Sequence, residues 1–316
     1  MLVAAASAIG ATTLALVACG SSVEESAPKD GGPEAGVDAS PADTGTDGDS
    51  AVTVPSGADA GADAWTPAQL DAVGELALWL EPSPASFTIS NGTVGVWKDR
   101  SQNHNDAKSL GGGPTVHAAL LDGQDTVHFG QDVVLAIDDA QSLRFSTDQF
   151  YIAAVVRQIP TGALGYVFSK AATVPSGGGP QYSGGLELWT GPGTVDGGAV
   201  ATFPQTRIAP SAGDELAWGD PVFDDGKFHF VALRRIDATN LSLSVDGQTP
   251  RAAQTEALDI DEVGRTVRLG GVRYGTIDPP LDLDIAELVV VHRTTSVVSD
   301  SAVANVHAYL TTKYGL

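Results

Sequence analysis

Cysteine and basic residues are scarce in this chain of 316 residues. A single cysteine cannot form an internal disulfide, and it cannot build a cysteine-based zinc site. Only 17 Lys and Arg residues stand against 39 Asp and Glu residues, which gives a formal net charge of -22 at pH 7. Because this charge repels phosphate and no basic cluster offsets it, the sequence excludes a nucleic-acid-binding protein.

The first 18 residues have no charged side chain, and they end in small residues before Cys19. This pattern is typical of an export signal, and the run is shorter than the about 20 apolar residues of a bilayer span. Leu16-Val17-Ala18-Cys19 resembles the lipobox of bacterial lipoproteins. The resemblance implies cleavage before Cys19, a diacylglycerol on its sulfur and a palmitate-like acyl chain on its amino group. The alternative is a free cysteine buried behind a hydrophobic strand.

Residues 20 to 64 contain no aromatic residue and no Leu, Ile or Met. They hold ten acidic residues and one lysine, a balance of -9. Such a segment cannot bury enough apolar surface to offset its ordering entropy, so we expect a disordered, self-repelling tether. Capture of calcium by its acids is the alternative. The sequence thus divides into a signal (1–18), a lipidated cysteine with its linker (19–64) and a folded domain (65–316).

Short apolar or alternating runs separated by Gly, Pro, Asp and Asn fill most of the folded domain. Residues 150–156, 228–233 and 241–245 are predicted strands. The last of them alternates Leu and Val with Ser, and Asp246-Gly247 then favours a tight hairpin turn.

Helical signals occur at the two ends of this domain. Thr66 is predicted to cap a short helical turn that opens with Pro67. Near the C-terminus, Ser299 is the predicted cap of a longer helix that stops at Gly315. Its predicted apolar stripe is Val303, Val306 and Leu310. One terminal helix on many strands favours an all-β sandwich with an accessory helix.

Five short motifs follow one another between residues 76 and 316. They are Trp97-Lys98-Asp99-Arg100-Ser101-Gln102-Asn103, Asp225-Gly226-Lys227-Phe228-His229, residues 241–247, Asp284-Ile285-Ala286-Glu287 and Lys313-Tyr314-Gly315-Leu316. In this order they resemble the concanavalin A-like lectin/glucanase superfamily, particularly its laminin G-like members. The resemblance implies a two-sheet jelly-roll sandwich. It does not specify an activity, because this sandwich hosts lectins, adhesive modules and enzymes.

Asp282, Asp284 and Glu287 are the candidate catalytic residues. Their spacing resembles the E-x-D-x-x-E signature of laminarinase-type glycoside hydrolases in the same superfamily, which implies that Asp282 is the nucleophile and Glu287 the general acid/base. On a regular strand Glu287 points away from the other two acids, so this site requires a bulge. The alternative is a buried structural Glu287 whose partner comes from the turn around Arg100 and Ser101.

Asp99, Asn103, Asn105 and Asp106 form a turn rich in side-chain oxygens. Calcium takes six to eight oxygen ligands of this kind, so one calcium ion is a candidate cofactor here. Asx residues also favour turns by bonding their own backbone, and a plain turn is the alternative.

Trp189, Trp218 and Tyr182 are the candidate ligand-binding aromatics. They lie beside Gly- and Pro-rich stretches, 177–182 and 190–198, that are predicted rim loops. Sugar rings stack on exposed aromatic faces, whereas burial in the sandwich is the competing fate of a tryptophan. The six histidines show no pairing at metal-binding spacing in the sequence.

Together these features predict a lipoprotein of the cell envelope that is anchored in the lipid bilayer by its acylated N-terminus. In a Gram-negative organism it would lie at the outer membrane or cell surface. We expect a monomer whose jelly-roll module binds a carbohydrate or an envelope protein, and we favour this function over catalysis. The alternatives are a β-glucan-type glycoside hydrolase and a purely structural envelope protein.

Overall fold

The computed structural model describes residues 64–159, 165–176, 179–194, 200–209, 215–217, 225–254, 260, 263–271, 282–293 and 297–316. The predicted export signal, Cys19 and all but the last residue of the predicted linker lie outside these residues. No helix of the described part is both long enough and apolar enough to cross a membrane.

Seventeen strands, two α-helices and two 3-10 turns form the regular structure of the described residues. The strands are β1 (Leu76–Leu80), β2 (Phe87–Ser90), β3 (Thr93–Trp97), β4 (Ala107–Ser109), β5 (Thr115–Leu121), β6 (Gln124–Phe129), β7 (Leu135–Ile137), β8 (Phe150–Gln158), β9 (Gly165–Ser176), β10 (Gly179–Thr194), β11 (Val200–Ala209), β12 (Glu215–Ala217), β13 (His229–Asp237), β14 (Asn240–Val245), β15 (Arg251–Gln254), β16 (Val267–Gly270) and β17 (Leu283–His292). The helices are α1 (Ala68–Asp71) and α2 (Asp300–Tyr314), and the 3-10 turns are Pro84–Ser86 and Gln141–Leu143.

The strands form two antiparallel sheets. One has the order β15-β14-β13-β8-β17-β6-β5, with β1 paired to β17 as an eighth strand. The other has the order β12-β11-β10-β9-β16-β7-β4-β3-β2. This architecture confirms the predicted all-β, two-sheet class with a C-terminal helix.

Two hydrophobic clusters lie on opposite faces of the eight-stranded sheet. The larger joins residues of both sheets and contains Phe150 and Ile152 of β8. The smaller contains the alternate residues Tyr151 and Ala153 together with apolar residues of α2. Because successive strand residues point to opposite faces, β8 is buried on both sides. We call the face that carries α2 the outer face of this sheet.

A bulge in β17 changes which residues face outward. The pairing of β17 with β8 shifts register between Ile285 and Glu287. Before the shift, Leu283 and Ile285 belong to the cluster between the sheets, and after it Leu288 does. The extra residue therefore places Glu287 on the outer face, which Asp282 and Asp284 already occupy by alternation.

Helix α2 begins and ends where its sequence predicts. Ser299 Oγ accepts a hydrogen bond from the Ala302 backbone N–H at 3.1 Å, and Gly315 has a φ of 66°. The buried stripe differs slightly from the prediction, because Ala302 and Tyr314 join Val306 and Leu310 while Val303 is only partly buried.

The prediction that the Thr66 side chain caps α1 was wrong. Thr66 does not cap this helix with its hydroxyl; instead the Gln69 side chain accepts hydrogen bonds from the Thr66 backbone N–H and hydroxyl, at 2.8 and 3.0 Å. The side chain of the second residue of the helix thus satisfies the free backbone N–H of Thr66.

Candidate functional site

The three candidate acids occupy the outer face of the eight-stranded sheet. The bulge that a shared face requires is present in β17. Asp284 and Glu287 have no exposed side-chain surface, while the Asp282 side chain is 25% exposed. The three acids have different hydrogen-bond partners.

Asp284 accepts hydrogen bonds from two cationic or ionisable side chains. Arg157 donates from Nε and Nη2 to Asp284 Oδ2, at 2.8 and 2.5 Å. On the other oxygen, Oδ1 lies 3.1 Å from His128 Nδ1 and 3.3 Å from His117 Nδ1. Burial raises the pKa of Asp284, but the bonds from His128 and Arg157 outweigh it and hold this pKa below its ordinary value. Asp284 is therefore a charged carboxylate inside the protein.

His117 and His128 stack on each other, with ring centroids 4.7 Å apart and ring planes inclined by 15°. The expectation that no histidines pair was wrong, because β5 and β6 form a hairpin that brings these two side chains to one face. His117 lies opposite Thr126, two residues from His128. The signal for this hairpin was Asp122-Gly123, whose φ angles of 47° and 76° suit a tight turn. The hydrogen bond to Asp284 raises the pKa of His128 above its ordinary value.

Asp282 lies beside this group with one oxygen unsatisfied. Its Oδ1 is 3.9 Å from His128 Nδ1, is buried and has no hydrogen-bond partner. Burial raises the pKa of Asp282, because removal from water penalises the charged form.

Glu287 is held under helix α2 by three donors. Trp79 Nε1 and Lys313 Nζ donate to its two oxygens at 2.6 and 2.7 Å, and Tyr314 OH donates at 2.8 Å. The prediction that a buried Glu287 would find its partner in the turn around Arg100 and Ser101 was wrong. The positive charge that pairs with Glu287 belongs to Lys313, in the last turn of α2. Arg100 lies over the Trp79 ring, 4.4 Å from its centroid. Burial lowers the pKa of Lys313.

These arrangements oppose the use of the three acids in hydrolysis. A retaining glycosidase needs two carboxyl groups about 5–5.5 Å apart on either side of an accessible bond. Asp284 and Glu287 are inaccessible to solvent, and cations or hydroxyl and indole donors occupy their oxygens. The bulge aligns the acids on one face without opening a cleft to two of them.

The turn at Asp99 is a hub of hydrogen bonds. Asp99 Oδ1 accepts from the backbone N–H groups of Trp79 and Ser101, both at 2.9 Å. Its Oδ2 accepts from Ser101 Oγ at 2.6 Å and from Asn105 N–H at 2.8 Å. The Asp99 backbone N–H in turn donates to Asp106 Oδ1 at 3.0 Å. This is the geometry of a structural Asx turn that ties the loop to β1.

The same turn does not fit a calcium ion. Both oxygens of Asp99 already accept two donors each, and Asn103 and Asn105 direct their Nδ2 groups at the carbonyl oxygens of β1. We expect addition of millimolar calcium to the metal-free protein to leave its melting temperature unchanged, since a ligand that binds only the folded state must raise it. A rise that Asp99→Asn abolishes would restore the calcium site.

Asp225 and Asp246, from two of the sequence motifs, both contact His229. His229 Nδ1 lies 2.7 Å from Asp246 Oδ2, and His229 Nε2 lies 2.9 Å from Asp225 Oδ1. The Asp225-Gly226 and Asp246-Gly247 turns are thus joined through one imidazole. Burial lowers the pKa of His229, but the two carboxylates outweigh it and leave this pKa above 6.5. Asp225 in turn has its pKa lowered to about 2, because the bonds from His229 and Lys227 outweigh burial.

His229 predicts a dependence of stability on pH. Its pKa is higher in the folded protein than in the unfolded chain, so its stabilising effect is complete below about pH 6.5 and is lost as the pH rises through the folded pKa. We expect the melting temperature to fall as the pH rises above about 6.5, and to fall less steeply in His229→Gln. Thermal unfolding of both proteins across this range measures the difference. Equal slopes would contradict the assignment, because Asp225 and Asp246 would then not bind a protonated imidazole.

Comparisons with known proteins give likenesses of structure only. No protein-family model matches the sequence, and no curated protein does. Domain 4 of an extracellular arabinanase from Geobacillus stearothermophilus, in complex with arabinotriose, matches with 15% identity and a TM-score of 0.48, covering 73% of this chain and 97% of that domain. Botulinum neurotoxin type C, whose cell entry depends on interaction with two ganglioside molecules, matches with 9% identity and a TM-score of 0.48, covering 77% of this chain and 53% of that one.

A third similar structure is a mutant of Trypanosoma rangeli sialidase displaying trans-sialidase activity. It has 16% identity and a TM-score of 0.45, over 77% of this chain and 34% of that one. The chain thus spans about half the length of the botulinum neurotoxin chain that it matches. Since all three TM-scores are below 0.5, the sandwich assignment rests on the strand pairing described above.

The candidate aromatic residues do not form one exposed platform in the described part. Trp189 lies in β10, is 6% exposed and packs against Tyr166 with ring centroids 6.3 Å apart. Tyr182 also lies in β10, but its side chain is outside the described residues, as is the whole of Trp218. The predicted rim loops were wrong for residues 179–182 and 190–194, because hydrogen-bonded pairing of β10 with its neighbours incorporates these Gly- and Pro-rich segments.

Proposed function

We propose that this chain is a lipid-anchored envelope protein that presents its β-sandwich on an acidic tether as a carbohydrate-binding module. The fold provides a rigid scaffold, and loops on such scaffolds are where binding residues concentrate. The tether would hold the module away from the membrane, at a distance of roughly 5–6 Å times the square root of its length in residues.

The observation that favours recognition over hydrolysis is the burial of Asp284 and Glu287. Both acids have zero side-chain exposure and are neutralised by Arg157 and Lys313 respectively. A catalytic carboxyl group must reach the scissile bond, and these two stabilise the sheet and its helix instead.

Binding of glycans by the full chain tests the module. Arabinotriose and gangliosides, the ligands named for two of the similar structures, are the first glycans to examine, followed by an array of envelope and plant polysaccharides. We expect saturable binding to one glycan class, weakened by Trp218→Ala while the melting temperature stays within a few degrees. Absence of binding to every glycan by a folded protein would contradict the proposal and leave a protein ligand or a purely structural role.

The hydrolase alternative has a separate test. Release of reducing sugar from a β-glucan by the wild-type protein, lost in Glu287→Gln, would establish it. We expect no release, because Glu287 is bonded to three donors under α2.

Replacement of Cys19 tests the anchor. If Cys19 is acylated as the lipobox resemblance implies, Cys19→Ser should move the protein from the membrane fraction to the soluble fraction or leave the signal uncleaved. Each methylene buried in a bilayer contributes about 0.8 kcal/mol, so loss of several acyl chains removes stable anchoring. Incorporation of labelled palmitate into the wild-type protein alone would confirm the modification. Labelling that persists in Cys19→Ser would contradict it.

A further inference from the structure

Two histidines and a carboxylate direct their ligand atoms at one point on the outer face of the sheet. One ring nitrogen of His117, one ring nitrogen of His128 and an Asp284 oxygen all lie within 4.8 Å of one another. The two Nδ1 atoms lie 3.3 and 3.1 Å from the same oxygen, Asp284 Oδ1. We propose that His117, His128 and Asp284, with Asp282 as the fourth ligand, bind a zinc ion.

The spacing of these atoms fits tetrahedral coordination. Zinc binds imidazole nitrogen and carboxylate oxygen at about 2.0–2.1 Å, which places neighbouring ligand atoms about 3.3 Å apart. Both nitrogen–oxygen separations around Asp284 Oδ1 are close to this value. Two hydrogen bonds to one carboxylate oxygen would give the same separations, so the observation that distinguishes a cation is the unsatisfied oxygen of Asp282.

Asp282 supplies an independent indication of a cation. Its Oδ1 is buried without a hydrogen-bond partner and lies 3.9 Å from His128 Nδ1. A buried oxygen in this state is destabilising unless something satisfies it. A metal ion between the two histidines satisfies it after a small side-chain rotation, and completes a set of two imidazoles and two carboxylates.

Arg157 orients the shared carboxylate. It binds Asp284 Oδ2 through two nitrogens, so Oδ1 is left to face the histidines. Partners of this kind, which hold a ligand from behind, fix ligand geometry in metal sites. The guanidinium also balances part of the negative charge of the two aspartates.

The donor types and the position in the fold favour zinc over calcium. Calcium takes oxygen ligands, while mixed imidazole and carboxylate donors suit zinc. His117 lies on the edge strand β5 with 38% of its side chain exposed, which gives an ion a path from solvent. A bound ion would join β5, β6 and β17 and so fasten the edge of the sheet.

Zinc titration of the full chain in mild detergent tests the site. Cys19→Ser serves as the parent protein, so that the thiol does not compete for metal. We expect one tight zinc ion per metal-free chain by calorimetry and a higher melting temperature with zinc. His117→Gln and His128→Gln should each lower the affinity at least about tenfold, since each removes a ligand. His104→Asn, at an exposed histidine with a φ of 52°, should bind as the parent does.

Cobalt substitution adds a readout of geometry. A cobalt ion in this site should give the strong visible absorption of tetrahedral coordination, and the two histidine variants should lose it. Since His117 is partly exposed, His117→Gln should fold and keep the near-ultraviolet circular dichroism of the parent. If His128→Gln does not fold, the zinc affinity of His117→Gln alone tests the site. The proposed site would be overturned if the parent protein bound no zinc ion tightly, or if His117→Gln bound zinc with the parent's affinity. Zinc bound weakly by the acidic residues of the predicted tether would bind equally in every variant, so it would not depend on the two histidines.

Discussion

Replacing Lys313 with Met should destabilise the folded domain by about 3–5 kcal/mol, because it leaves the Glu287 carboxylate buried without its cation. Glu287 has no exposed side-chain surface, and Lys313 Nζ lies 2.7 Å from its Oε2. Trp79 and Tyr314 still donate hydrogen bonds to Glu287, which places the loss toward the lower end of this range. For a domain of about 250 residues this corresponds to a fall in melting temperature of roughly 10 °C, measured by circular dichroism.

Two further variants separate burial from simple loss of an ion pair. Arg293→Met removes an exposed pair with Glu75, in which the arginine side chain is 45% exposed, and should cost about 0–1 kcal/mol. Lys313 also pairs with Glu81, which keeps its second partner Arg100 in every variant. The double variant Glu287→Gln with Lys313→Met removes both charges of the Glu287 pair and keeps an oxygen acceptor for Trp79, so it should recover more than half of the stability lost in Lys313→Met. If Lys313→Met costs no more than Arg293→Met, the Glu287 pair does not hold α2 on the sheet.

Gly270→Ala should strongly destabilise the sandwich. Gly270 ends β16 with a φ of 86°, and an added Cβ would lie 2.1 Å from Cδ1 of Phe129, a buried ring on the opposite sheet. We expect about 1–2 kcal/mol of backbone strain and about 1–3 kcal/mol from overpacking the core. Urea unfolding measures the sum as a lower midpoint at constant slope.

Gly264→Ala is the matched control. Its φ of 79° is nearly the same, but no atom lies within 4 Å of the added Cβ. It should lose only the strain contribution, about 1–2 kcal/mol. Equal losses in the two variants would show that Phe129 moves aside freely, and that the two sheets are less closely packed at this point than the structure indicates.

Local patterns in the sequence predicted the elements whose determinants lie close together in the chain. The alternation of Leu241, Leu243 and Val245 predicted strand β14, whose three apolar residues do lie in the cluster between the sheets. Asp246 and Gly247 have the positive φ angles expected of the following turn. Ser299 caps α2 because its acceptor and the Ala302 N–H are only three residues apart. In each case the deciding contacts are local.

The errors arose where distant residues decide the outcome. No local pattern specifies that Glu287 pairs with Lys313, or that β17 gains an extra residue after Ile285. His117 and His128 meet only because of the register of a hairpin. Gly and Pro in residues 179–194 favour turns on average, but pairing on both sides of β10 overrides that preference.

Strand β17 connects parts of the chain that are far apart in sequence, and this has a consequence for the rate of folding. It pairs with β8 along most of its length, and on its other edge with β6 and then with β1, whose Leu80 lies opposite Leu288. A sheet completed by partners about two hundred residues apart has many non-local contacts, and such topologies fold slowly. The sheet is therefore incomplete until the last strand pairs, and slow folding of this kind would suit the export proposed above.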